Sequence, residues 1–266
     1  MLKSILVLLI VFGLGLASPS VSAMTRYVDC DKGQTILAAI EKSEARAERL
    51  EIFVKGTCTE NVVIRRPDVT IDGNHETTVV GFINVFTSNA WLYNLTVTGP
   101  GRGVAVSDGS ARLFGVTLSG NDAVGLWIRR GGFVWFRDGV VSGNGGGGIF
   151  LENGSLDGEN LVVADNRGDG ILADRQSNVV LISDTRIEDN DAAGLSSILD
   201  SVIDLRDSTV VSGNHGLGMF VAEDAAIRIT TGDVHVYGEI LCADEESSFV
   251  NREGAEVEGP VNCSGF

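Results

Sequence analysis

The chain has 266 residues, with 20 Lys and Arg against 36 Asp and Glu, for a formal net charge of −16. A surface that negative repels nucleic acid and anionic lipid at ordinary salt, and it disfavours a strongly polyanionic substrate unless cations intervene. Thirty-four glycines beside only 4 prolines suit tight turns between many short strands.

Residues 1–23 read as a signal peptide. Lys3 gives a positive start, Ile5 to Leu16 is an apolar run too short for a membrane span, and Val21-Ser22-Ala23 places small residues where a signal peptidase reads them. Cleavage is expected before Met24, leaving no long apolar stretch and no membrane insertion. The expected location is therefore secreted or periplasmic. An oxidising compartment and an even cysteine count favour disulfides. Of three pairings, Cys30–Cys58 and Cys242–Cys263 are favoured, because each pair sits near one end of the chain and neither falls in the repeat described below.

Residues 24–58 are expected to form an N-terminal cap of strand, helix and strand. The helix runs from Gln34 to about Leu50, with Ile36, Leu37, Ile40, Ala47 and Leu50 on one face. Residues 59–240 form the repeat. The phrase Asn-x-x-x-Gly-apolar recurs with its asparagines at 121, 144, 166, 190 and 214, spaced 23, 22, 24 and 24 residues. A period in the low twenties with strand-like residues inside each unit means a solenoid of stacked coils.

Three strands are read per coil. Leu126 and Ile128, Val134 and Phe136, and Val141 point inward; one coil on, so do Ile171 and Ala173, Val180 and Ile182, and Thr185 and Ile187. No six-residue period marks a left-handed tube. The fold class is therefore all-β: a single-stranded right-handed parallel β-helix of about eight coils of 22–24 residues. The ladder asparagines are expected to turn corners in left-handed backbone and to bond one another from coil to coil, and the glycines to permit bends. A second set, Asn94, Asp138, Asn160, Asp184 and Asp207, marks another corner. Residues 241–266 form an acidic C-terminal cap or tail.

The units ending Val140-Val141-Ser142-Gly143-Asn144 and Val162-Val163-Ala164-Asp165-Asn166, each leading to Gly-Ile, resemble the repeats of the right-handed parallel β-helix (pectate-lyase-like) superfamily. The segment Gln34-Thr35-Ile36-Leu37-Ala38-Ala39-Ile40 is similar to its capping helix. The resemblance implies polysaccharide lyases, hydrolases and epimerases among the relatives, and a substrate lying along an outer sheet face.

After each repeated glycine, the outward positions read Ile83, Ala105, Trp127, Phe150, Leu172, Ser196 and Phe220, an apolar row where polar residues are expected. Beside it run Arg129, Glu152 and Asp174. Rings flanked by charges are what a sugar-binding sheet needs, so Trp127, Phe150, Leu172, Phe220, Arg129, Glu152 and Asp174 are the candidate ligand-binding residues. Asp165 and Asp189 fall one coil apart and form a weak Ca²⁺ candidate; no other cofactor is indicated. Arg65-Arg66 and Arg129-Arg130 read as solvated turns. His75, His215 and His235 lie in different coils and serve no nucleophile.

No catalytic residue is assigned. The polygalacturonase and alginate-epimerase motifs are missing, and coils without long insertions build no walls around a site. The expected role is a non-catalytic module binding a glycan or a protein partner through the outward row. The alternatives are a lyase or hydrolase acting on uronate-containing glycan, with Arg129 or Arg175 near Asp174 and Glu152, and a self-associating envelope scaffold.

Overall fold

The computed structural model describes residues 23–43, 49–87, 89–252 and 255–263. Apart from Ala23, the signal segment lies outside them, as do Ala47 of the expected cap helix and the last three residues of the tail. Among the described residues, no helix is long and apolar enough to cross a membrane.

Every strand pairs in parallel with the strand about one period away, and the coils pile into a three-faced tube. The first face holds ten short strands, among them Val104–Ser107, Leu126–Arg129, Ile149–Glu152, Ile171–Asp174 and Met219–Val221. The second carries Ser110–Phe114, Phe133–Arg137, Ser155–Glu159, Asn178–Ile182 and Val202–Arg206, and the third Thr117–Asn121, Val140–Ser142, Val162–Ala164 and Arg186–Glu188. In the early coils single long strands, Arg49–Thr59, Val69–Val80 and Ala90–Gly99, run through the second and third faces, with a register shift marking the bend.

The stack has about eleven turns, not eight. The ladder runs past both ends of 59–240: Ala23–Asp29 pairs with Arg49–Lys55, and Ser248–Asn251, Glu256–Glu258 and Val261–Asn262 add a last coil. These end coils lack the Asn-Gly phrase, which is why spacing alone overlooks them.

Inward side chains from every rung form one continuous apolar file from Met24 to Phe249. Leu126, Ile128, Val134, Phe136, Val141, Ile171 and Ala173 lie in it as expected. One expected pair does not. Val179 and Leu181 point inward, while Val180 and Ile182 face out. The run Val179-Val180-Leu181-Ile182 is apolar throughout and carries no parity of its own; pairing of Val179 with Leu156 sets it.

Three corners turn the chain, and each is a column of left-handed residues. Asp108, Arg130, Asn153, Arg175, Leu199 and Glu223 turn the first face into the second. Asn94, Asp138, Asn160, Asp184 and Asp207 turn the second into the third. At the last corner the left-handed residue is Gly120, Gly143, Asp165, Asp189 or Gly213, the one before the ladder asparagine, so the asparagine is not itself left-handed. Its side chain points inward instead. Asn121 donates to Asn144 at 2.9 Å, Asn144 to Asn166 at 2.8 Å, Asn166 to Asn190 at 2.9 Å and Asn190 to Asn214 at 2.9 Å, all amide to amide. Each second amide proton goes to a backbone carbonyl, as from Asn166 to Val141 O.

The repeated glycines serve this ladder through close approach rather than bending. A Cβ on Gly148 would meet Val163 Cγ1 at 2.5 Å and Asn166 Nδ2 at 2.9 Å. Gly and the Asn of the next rung therefore share one space, which explains their fixed spacing.

The cap helix spans Ile36–Glu41, far shorter than Gln34 to Leu50. Ile36 and Ile40 cover the end of the core, and the Glu60 carboxylate accepts the Ile36 and Leu37 N–H groups at 2.7 and 2.9 Å. Buried Arg66 donates to Ser43 O at 2.6 Å, pinning the chain just past the helix; it is a structural tie and not a solvated turn. Leu50 lies in a strand. Disulfides Cys30–Cys58 and Cys242–Cys263 staple the two ends.

Replacing Asn166 by Ala strands the Asn144 N–H, an Asn144 amide proton and the Val141 carbonyl inside the tube. Urea unfolding should show a loss of about 3 kcal/mol. Asn160→Ala, at an exposed corner, should cost about 1 kcal/mol.

Candidate functional site

Backbone pairing on the first face sets Ala105, Trp127, Phe150, Leu172, Ser196, Phe220 and Leu241 in one outward column. Ile83 does not belong to it. That residue is level with Val104 and fully buried, and Asn84 takes its place in the column. Gly81 sits one residue out of phase with the later glycines, and a one-residue slip sends a side chain to the other side. Arg129, Glu152 and Asp174 form the neighbouring column, continued by Ser107.

Trp127 is enclosed. The Phe150 ring lies 6.2 Å away and nearly parallel, and the guanidinium groups of Arg102 and Arg129 lie 3.9 and 4.1 Å from the indole centroid. In-register stacking turns ring faces along the axis and leaves edges outward. Glu152 pairs with Arg175, which also reaches Asp174 Oδ2 at 3.8 Å. Asp174 is buried, and its Oδ1 has no hydrogen-bond partner.

Further along, the column is broken by buried Ser196, whose hydroxyl bonds Asp169. Burial pushes the Asp169 carboxyl above its ordinary value, against hydrogen bonds from the Ala193 N–H at 2.9 Å and from Ser196.

Asp165 and Asp189 occupy exposed corner positions one rung apart. Among the described residues, the one group of three metal-ligating side chains within reach of one another is Cys30, Cys58 and Glu60, and its sulfurs are joined in a disulfide.

The second face holds a surface that the sequence reading passed over. One outward column runs Trp91, Arg112, Trp135, Asp157, Val180 and Asp204; its neighbour runs Tyr27, Phe53, Asp72, Tyr93, Phe114, Arg137, Glu159 and Ile182. The Tyr93 and Phe114 rings stack at 5.2 Å, Trp91 lies 6.0 Å from both, and Phe114 meets Trp135 edge-on at 5.4 Å. Arg112 and Arg137 cover Trp91 and Trp135 at 4.5 and 4.7 Å. At the N-terminal end Tyr27, 78% exposed, stacks on Phe53 at 5.5 Å.

Beyond Trp135 the face holds a shallow depression lined by Trp135, Arg137, Asp157, Glu159, Val180, Ile182 and Arg206. Arg137 pairs with Glu159, and Arg206 with Asp204 at 2.9 Å. Burial raises the Asp157 carboxyl above its ordinary value, and the Arg206 charge pulls the other way. The signal was present in the sequence. Trp91, Arg112, Trp135 and Asp157 are 21, 23 and 22 residues apart, as are Tyr93, Phe114, Arg137 and Glu159. With Val134 and Phe136 inward, Trp135 faces out; the columns stayed hidden because no repeated phrase like Asn-x-x-x-Gly marks them.

A parallel three-faced tube with an internal asparagine ladder is a class of its own, and sequence comparison agrees. The profile described as "Right handed beta helix region" matches residues 81–237, and the chain belongs to that right-handed β-helix family. No curated protein matches it in sequence. Among solved structures it is similar to pectate lyase Pel9A, at 15% identity and TM-score 0.63, covering 92% of this chain and 80% of that one. It is likewise similar to an alginate lyase from Paenibacillus sp. str. FPU-7, at 14% identity and TM-score 0.58, covering 89% and 99%. A third is the A-module of the Azotobacter vinelandii mannuronan C-5 epimerase AlgE4, at 15% identity and TM-score 0.55, covering 86% and 94%. Likenesses at this identity show the fold and leave chemistry to the residues.

A carboxyl whose folded pKa is raised contributes stability only below its unfolded value and loses it as pH rises through the folded value. Asp169→Asn should therefore unfold at a higher temperature than the parent at pH 7, with the difference closing toward pH 3.

Proposed function

We propose that this chain is an exported, non-catalytic β-helix that binds a polysaccharide lengthwise along its second face. The observation that carries this reading is the pair of in-register columns from Trp91 and Tyr93 through Trp135 and Arg137 to the Asp157 depression. Rungs about 5 Å apart offer a polymer the same kinds of group again and again. Ring edges supply apolar contact for sugar C–H bonds, while Arg112, Arg137, Asp157 and Glu159 supply donors and acceptors for hydroxyls. The structures of similar fold named above are of two polysaccharide lyases and a mannuronan epimerase, which supports the ligand class. Two disulfides support an oxidising compartment.

The second face is preferred to the Trp127, Phe150, Leu172 and Phe220 row because two adjacent columns carry rings there and lead into a depression, whereas the first face offers one column, interrupted by buried Ser196. Retention on immobilised polysaccharide tests the choice. Trp91→Ala and Trp135→Ala should each weaken it about tenfold, the effect of losing roughly 1.4 kcal/mol. Trp127→Ala and Phe220→Ala should leave it unchanged, and the opposite pattern moves the site to the first face.

One observation favours an enzyme instead. Asp157 and Asp204 stand two rungs apart in the same column, about 10 Å, and the exposed Asp157 carboxyl is held above its ordinary value by partial desolvation against the opposing charge of Arg206. On that reading, incubation with neutral and uronate glycans releases shorter products. The rate should fall as pH rises through the raised Asp157 value and vanish in Asp157→Asn. Intact polymer across the panel removes the enzymatic reading and leaves binding in place.

A further inference from the structure

The first face carries an arrangement that neither sugar stacking nor the core explains. Arg102 and Arg129 both pack on the indole of Trp127, at 3.9 and 4.1 Å from its centroid. Both approach from the side of the preceding rung. Arg102 enters the strand Val104–Ser107, and Arg129 Nε donates to Ser107 Oγ at 2.9 Å. Ala105, the small residue level with Trp127 on that rung, leaves room for them.

In a chain with 36 acidic residues, two half-buried guanidinium groups would be expected to find carboxylates. Among the described residues neither does. Glu152, next in the column of Arg129, is taken by Arg175. The Trp127 indole N–H is also buried without an acceptor. The cluster therefore presents donors only, with two positive charges that repel each other. Burial and the Arg129 charge both lower the affinity of Arg102 for its proton. Such a set lacks one component, an oxygen-rich anion that neutralises the charges and accepts from the guanidinium forks.

We propose that Arg102 and Arg129, seated on Trp127, form a binding site for an oxyanion group (a sulfate, phosphate or carboxylate) carried by a ligand on the first face. This site is independent of the second-face columns, and the two stand or fall separately.

The test uses the full chain with Trp91→Phe and Trp135→Phe, which leaves Trp127 as the sole indole. Its emission is titrated with sodium sulfate, sodium phosphate and trigalacturonate, each against sodium chloride at equal ionic strength. At least one should give a saturable change, and which one responds names the source of the anion. Arg102→Gln or Arg129→Gln should weaken that response at least tenfold, and Arg129→Lys should retain part of it. Should a Gln variant fold poorly, the parent supplies a second reading. The responding anion should raise its unfolding temperature by an increment that grows with the logarithm of anion concentration. No saturable response to any of the three, or a response undiminished in both Gln variants, overturns the site.

Discussion

Parallel backbone pairing between neighbouring rungs, held in one register by the buried asparagine ladder, is the constraint on which everything else depends. Each peptide group bonds upward and downward, so a residue can change face only if its whole rung shifts. The ladder adds side-chain bonds at one corner, where Asn121, Asn144, Asn166, Asn190 and Asn214 chain amide to amide out of water. A buried amide left unpaired is costly, so a slip of one residue would break two amide contacts and expose apolar groups together. The glycine column fits the same space, and a methyl group there collides with the next asparagine. Registry is thus enforced by hydrogen bonding and by volume at one corner.

From that constraint the surface follows. Residues about 22 apart in the chain become neighbours, so chemistry is written in columns. Rings in one column stack on one another, as Trp127 does on Phe150 and Tyr93 on Phe114. A stacked ring offers its edge to solvent. A column of aromatic residues is therefore not automatically a platform for sugar. What distinguishes the second face is breadth. Two adjacent columns carry rings, and they run into a depression where short Asp157 and Val180 follow Trp135 and charged groups of both signs gather.

How much of this could be read in advance depended on whether a position carried its own signal. The Asn-Gly phrase did, because the ladder needs both residues; the solenoid and the first-face column from Ala105 to Phe220 were legible from spacing, and both disulfides from the cysteines' places near the two ends. The second-face columns obey the same period, yet no repeated phrase marks them, and in Val179 to Ile182 the inward and outward positions are both apolar. There parity is set by the neighbouring rung, a tertiary fact. The end coils were invisible for a different reason: they pair like the others but carry no ladder. The cap helix was overextended because amphipathic spacing continues past Glu41, whereas Arg66 holds the chain at Ser43 and the strand from Arg49 follows.

The charge has a similar local origin. Nine of the left-handed corner residues are aspartates: Asp68, Asp108, Asp138, Asp165, Asp184, Asp189, Asp200, Asp207 and Asp224. Left-handed backbone admits Asp and Asn more readily than most residues, because a short polar side chain can bond locally. Much of the net −16 is therefore corner chemistry repeated from rung to rung, laid along the edges of the tube. The faces between those edges hold Arg102, Arg112, Arg129, Arg137 and Arg206, each within reach of a ring or a carboxylate. Over distances longer than the Debye length, about 8 Å at physiological salt, the edges dominate and an anion meets repulsion. At contact distance the faces dominate. Net charge consequently describes how a partner approaches this molecule, while the columns between the corners decide what stays.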